Sequence, residues 1–156
     1  MKTNIGIGEK GQKEVAGILN RILSTEYVLY TKTRNFHWNV VGPRFNDLHK
    51  FFEAQYEELD DIIDEVAERA RALGERSFGS LAEFLEASII KEPAKKGLKD
   101  QEMLQELLSD HETLIEDLRS QLKLCESSGD MGTNDFLTGV MEQHEKMAWM
   151  LRSFLA

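Results

Sequence analysis

The 156-residue sequence is short of several things, and each shortage narrows what the chain can be. A single cysteine, Cys125, leaves no disulfide within the chain and fits a reducing compartment. Only two prolines, Pro43 and Pro93, interrupt it, so long helices have room between them. No apolar run approaches the roughly 20 residues of a membrane helix. The opening MKTNIGIGEKGQKEVAG has no apolar segment of the kind that marks a secretory signal. Basic residues are outnumbered, with 19 Lys and Arg against 28 Asp and Glu, for a net charge of −9. Such a surface repels nucleic-acid phosphates and attracts cations.

What remains is helical by spacing. Apolar residues recur at three- and four-residue intervals, and no stretch alternates as a strand does. Gly42, Gly74, Gly79, Gly97, Gly129 and Gly132 fall between the periodic segments. The spacing predicts long helices over 13–38, 45–73, 100–126 and 133–154. Residues 1–12 are expected to form a short flexible segment, and 13–156 a single domain. Val15, Ile18, Leu19, Ile22, Leu23, Tyr27 and Tyr30 form the first helix's apolar stripe. A short helix should open at Ser80, because Ser80-Leu-Ala-Glu83 has the form of a capping box, and end before Pro93. The expected fold is an all-α, ferritin-like four-helix bundle, with a short extra helix in the long connection between its second and third long helices.

The second helix carries the strongest functional pattern. Taking His49 as zero and advancing about 100° per residue, Glu53 falls at about 40°, Asp60 at about 20°, Asp64 at about 60° and Glu68 at about 100°. Leu48, Phe52, Leu59, Ile63, Val66 and Ala70 cluster on the adjacent side, while Glu58 and Arg69 point away. Acids beside apolar surface repel one another and lose hydration. Either Arg and Lys of a neighbouring helix pair with them on a solvated flank, or a cation offsets both costs.

The familiar di-metal bundle site, with Glu-x-x-His on two helices, is absent, since Arg34, Asn46, Leu108 and Met141 stand three residues before the four histidines. His49 and Glu53 lie one turn apart, as do Asp64 and Glu68. The two groups are separated by about 22 Å along the helix, too far for one metal. They meet only if a second copy of the helix runs antiparallel across a two-fold axis, with His37 completing the set at each end.

Two blocks carry a family resemblance. His37-Trp38-Asn39-Val40-x-Gly42-x-x-Phe45-x-x-Leu48-His49 resembles the first signature of the Dps family, the mini-ferritins or DNA-binding proteins from starved cells. Asp64-Glu65-x-Ala67-Glu68-Arg69-x-x-x-Leu73-Gly74 resembles the second, in matching register. SLAEFLE resembles the family's small helix, and TNDFL, at Thr133 to Leu137, the start of its last one. The resemblance implies a twelve-subunit hollow shell, in the cytoplasm of a bacterium or archaeon. It implies an iron-oxidising enzyme, a ferroxidase that works preferentially with hydrogen peroxide and stores the ferric product. The implied ligands, catalytic and metal-binding alike, are His37, His49 and Glu53 of one subunit with Asp64 and Glu68 of its partner. Many family members have aspartate where this chain has Glu53, whose extra methylene alters the reach of the carboxylate.

By the same resemblance, Glu126, Asp130 and Asp135 surround a loop whose acids line an iron-entry pore. Without it, the three make an ordinary polar loop. Trp38 either quenches stray radicals or packs at a helix end. His111 and His144 receive no role, and Phe136, Met141, Met147, Trp149, Met150 and Phe154 are read as core. DNA compaction is the alternative function. DNA binding is expected to be weak or absent, because the only basic residues among the first thirteen are Lys2, Lys10 and Lys13, and RSFLA carries no basic extension.

Overall fold

The computed structural model describes residues 3–93 and 95–156. They form α1 (Glu9–Asn39), α2 (Phe45–Ala72), α3 (Leu81–Ala87), α4 (Asp100–Ser127) and α5 (Met131–Leu155). Among the described residues there is no strand, and no helix is long and apolar enough to cross a membrane. The first helix starts at Glu9, four residues ahead of the sequence expectation, so Lys10 and Lys13 are helical. Lys2 lies outside the described residues.

Short loops make two helix pairs, α1 with α2 and α4 with α5. The pairs meet where α1 touches α4 and α2 touches α5, and α3 lies against α1. Leu19, Ile22, Leu29, Phe52, Leu59, Leu107, Leu114 and Leu151 fill the space between them without exposure. Phe51 and Ile62 of α2 also join this core, and Ile63 reaches it only partly. The α3 capping box forms as its sequence demands: Glu83 N–H donates to Ser80 Oγ, and Glu83 accepts from Ser80 N–H.

On α5, Leu137, Val140, Met141, His144, Met147, Ala148 and Leu151 share the buried face. Trp149 and Met150 are therefore not core: they are 62% and 36% exposed. The helical period turns them to the opposite side. Phe136 and Phe154 pack on the core's edge.

Polar side chains also occupy the bundle's centre. His144 Nε2 lies 2.8 Å from Glu26 Oε1, and His144 Nδ1 lies 2.8 Å from His111 Nδ1. All three side chains are fully buried. Gln55 donates from Nε2 to the Met147 carbonyl in the same interior. The sequence signal for this layer was a polar residue at core spacing on three helices: Glu26 after Ile22 and Leu23, His111 between Leu107 and Leu114, and His144 between Val140 and Met147. Burial, and then the neighbouring His144, hold the His111 imidazole well below its ordinary value of 6.5.

The unfolded chain therefore takes up a proton on His111 below about pH 6.5 that the folded chain refuses, and stability falls as pH falls. Between pH 7 and 5.5, the urea midpoint should drop less in His111→Leu than in the parent. An equal drop in both would show that His111 does not contribute.

Candidate metal centre

The break between α1 and α2 builds the site. Gly42 adopts φ of 114°, a conformation open to glycine, and its carbonyl accepts from Phe45 N–H at 3.0 Å. The chain reverses there and lays the last turn of α1 beside the first turns of α2. His37 and His49, twelve positions apart, stack with ring centroids 3.8 Å apart and planes at 18°.

Each ring is fixed by the other's backbone. His37 Nδ1 lies 2.7 Å from the His49 carbonyl oxygen, and His49 Nδ1 lies 2.9 Å from the His37 carbonyl oxygen. A carbonyl only accepts, so each Nδ1 carries the proton. In the neutral rings the lone pair then resides on Nε2, the form that binds a metal. His37 is 6% exposed and His49 is half-buried.

Glu53, one turn beyond His49, is half-buried and accepts a long 3.4 Å hydrogen bond from the Tyr56 hydroxyl. Partial burial, and then the Glu53 carboxylate, push the Tyr56 phenol above its ordinary value. The Tyr56 ring meets the His37 ring edge-on at 5.2 Å, and the Arg34 guanidinium sits 4.6 Å over its face. Sequence reasoning missed both Arg34 and Tyr56. Their spacing was the available signal, one turn before His37 and one turn after Glu53. Trp38 is 64% exposed, with Arg34 5.2 Å from its ring, so it does not pack into the core.

Asp60, Asp64 and Glu68 are exposed on α2, and among the described residues no Arg or Lys pairs with them. The solvated-flank reading supplied such partners; none lies within ion-pair distance, although Arg34 of α1 feels the charge of Asp60. No three His, Cys, Asp or Glu side chains among the described residues converge as a metal site. Within one chain, then, His37 and His49 come together with Glu53 one turn on, while Asp64 and Glu68 stay apart from them, farther along the same helix.

The pore set divides. Glu126 and Asp135 are exposed, but Asp130 is 2% exposed and fully engaged. It caps α5 by accepting from Thr133 N–H at 2.8 Å and Thr133 Oγ1 at 2.6 Å, and it pairs with Arg69 Nη2 at 2.9 Å. A carboxylate used in this way is not free to line a pore. Its charge also reaches the core: the thiol's own burial, and then the Asp130 carboxylate, raise Cys125 to about 11.

Known proteins share this chain's sequence pattern and fold. A ferritin-like domain family matches residues 16–156. A low temperature-induced protein of Nostoc sp. is 43% identical, over 99% of this chain and 87% of its own length. The DNA protection during starvation protein 2 of Bacillus anthracis is 40% identical, over 92% of this chain and 97% of its own. A solved Dps structure from Vibrio cholerae, described as a member of a broad superfamily of ferritin-like diiron-carboxylate proteins, superposes with a TM-score of 0.93. It is 34% identical and covers 100% of this chain and 98% of that one.

Asp130→Ala should lower the unfolding free energy by about 2 kcal/mol, because it removes a helix cap and leaves Arg69 unpaired. Urea denaturation measures this, and a loss below the experimental error would mean that the buried carboxylate is not holding α5 to α2. Family match, sequence identity and fold lead to one conclusion: the chain belongs to the Dps family of ferritin-like proteins.

Proposed function

We propose that this protein is a Dps-type ferroxidase and iron store. It takes Fe(II) as substrate, oxidises it preferentially with hydrogen peroxide and retains Fe(III) inside a twelve-subunit shell, limiting oxidative damage. The observation that carries the reading is the exchanged pair of Nδ1–H···O=C bonds between His37 and His49. It leaves the Nε2 lone pair of each ring uncommitted by these bonds before any metal arrives, with Glu53 one turn farther along α2.

Imidazole and carboxylate together suit Fe(II), and hard carboxylate oxygens also hold Fe(III). In the proposed assembly His37, His49 and Glu53 face Asp64 and Glu68 of the partner subunit across a two-fold axis. The exposed, unpaired acids of α2 support this, because a partner's imidazoles and a shared cation would offset their mutual repulsion. Two Fe(II) ions held together supply both electrons that peroxide needs, so its O–O bond opens to water without freeing hydroxyl radical. The remaining exposed acids, Glu126 and Asp135, form the reduced set for a cation entry path.

DNA compaction is the weaker reading. Lys10 lies 3.7 Å from Glu14 and Lys13 3.2 Å from Glu9, so each described basic residue near the start has an acid of its own helix beside it. A net charge of −9 opposes phosphate. No electrophoretic shift is expected at low-micromolar protein and physiological salt; a shift would favour the nucleoid role.

The central test is peroxide consumption by anaerobically Fe(II)-loaded protein. Asp64→Ala/Glu68→Ala, eluting at the parent's assembly size, should lose rate by roughly 100-fold, the upper end of what losing even an outer-shell partner costs a metal site. Equal rates would leave the acids without a part in the oxidation.

A further inference from the structure

Peroxide takes two electrons, and a site that has captured only one Fe(II) can give only one. The side chain nearest to making up that deficit is Tyr56. Its hydroxyl is bonded to Glu53, and its ring edge touches His37, so it contacts two of the proposed ligands at once. It is also held in place. Arg34 lies 4.6 Å over its face, and Arg34 is fixed in turn by a 2.6 Å bond from Nη1 to the Tyr30 hydroxyl. Tyr30 closes the cage by meeting Tyr56 edge-on at 6.1 Å.

Resting on the ferroxidase reading, we infer that Tyr56 is the second electron donor whenever a single Fe(II) occupies the site. Fe(II) loses one electron and becomes Fe(III). The Tyr56 phenol loses one electron and its proton, becoming a neutral phenoxyl radical, and the proton leaves through Glu53. Hydrogen peroxide accepts the two electrons, the phenolic proton and one proton from solvent. Its O–O bond breaks and two waters leave. A later Fe(II), with one proton from solvent, returns the phenoxyl to phenol and is itself oxidised to Fe(III).

The surroundings select this path. The Arg34 cation over the ring opposes a positively charged aromatic radical. Electron loss from Tyr56 is therefore tied to loss of its proton, and Glu53 is the acceptor in place. Trp38 meets the same guanidinium but stands mostly in solvent. Tyr30 lies farther from the ligands, and its hydroxyl oxygen already accepts from Arg34.

The test loads the intact assembly anaerobically with one Fe(II) per subunit and adds one equivalent of hydrogen peroxide. Electron paramagnetic resonance of the frozen sample reads the tyrosyl signal, and a spin trap reads free hydroxyl radical. The parent should show the tyrosyl doublet with little trapped radical. Tyr56→Phe, at the same assembly size, should lose the doublet and trap several times more hydroxyl radical. Trp38→Phe should keep the doublet. A doublet that survives Tyr56→Phe, or that disappears with Trp38→Phe instead, overturns the assignment. So does a parent that consumes peroxide rapidly at two Fe(II) per subunit yet shows no doublet at one. Slow consumption at two Fe(II) per subunit would overturn the ferroxidase reading itself, and this inference with it.

Discussion

The two hydrogen bonds that His37 and His49 exchange across the α1–α2 turn set the terms for the rest of the molecule. The last carbonyls of a helix have no partner within it, and His37 sits in the last turn of α1. Its carbonyl oxygen receives the His49 ring N–H, which finishes the helix and fixes that ring. The His49 carbonyl, inside α2, accepts the His37 ring N–H in return. Each bond is worth about 1 kcal/mol in net stability. Their larger consequence is tautomeric, because both Nδ1 atoms are committed and both Nε2 atoms are left as bases. Helix termination and the tautomer of both rings are set by the same pair of contacts.

That clasp also fixes which candidate ligands one chain brings together. The histidines are tied to the turn, at the start of α2, and Asp64 and Glu68 lie at least four helical turns farther on. A straight helix cannot fold back to join its own ends. The acids are left exposed, without an ion-paired cation among the described residues and close to one another, which raises the energy of the isolated subunit. In the proposed assembly, a second copy running antiparallel would bring its histidines to these acids.

Local pattern made much of this legible. Helical periodicity, the Gly42-Pro43 break and the Ser80–Glu83 capping box are written within a few residues of where they act. Long-range pairings were not. Glu26 and His144 are 118 positions apart, and His111 and His144 are 33 apart, so nothing adjacent marks them as partners. Asp130 looked like a loop acid because its role depends on Arg69, 61 positions away. Trp149 and Met150 looked like core because apolar identity was weighed without asking which way the helix turns them. The candidate ligands were readable as a spacing, whereas their tautomers required the backbone carbonyls on the other side of the turn.

The buried Glu26–His144–His111 chain works against easy stability. Three fully buried polar side chains give up hydration, and Glu26 Oε2 and His111 Nε2 have no hydrogen-bond partner among the described residues to offset it. Apolar residues of the same volume would pack there at no such cost. What the chain supplies is alignment. Leucines slide past one another with little penalty, but a hydrogen bond weakens steeply once its geometry is lost. Sliding α4 against α5 by one residue, about 1.5 Å, would break the contact between His111 and His144, and sliding α1 would break that of Glu26. The layer therefore ties three of the four long helices to one register. Since α1 carries His37, and the α1–α2 clasp carries that register on to His49, the polar core holds the histidine pair at a fixed height in the bundle.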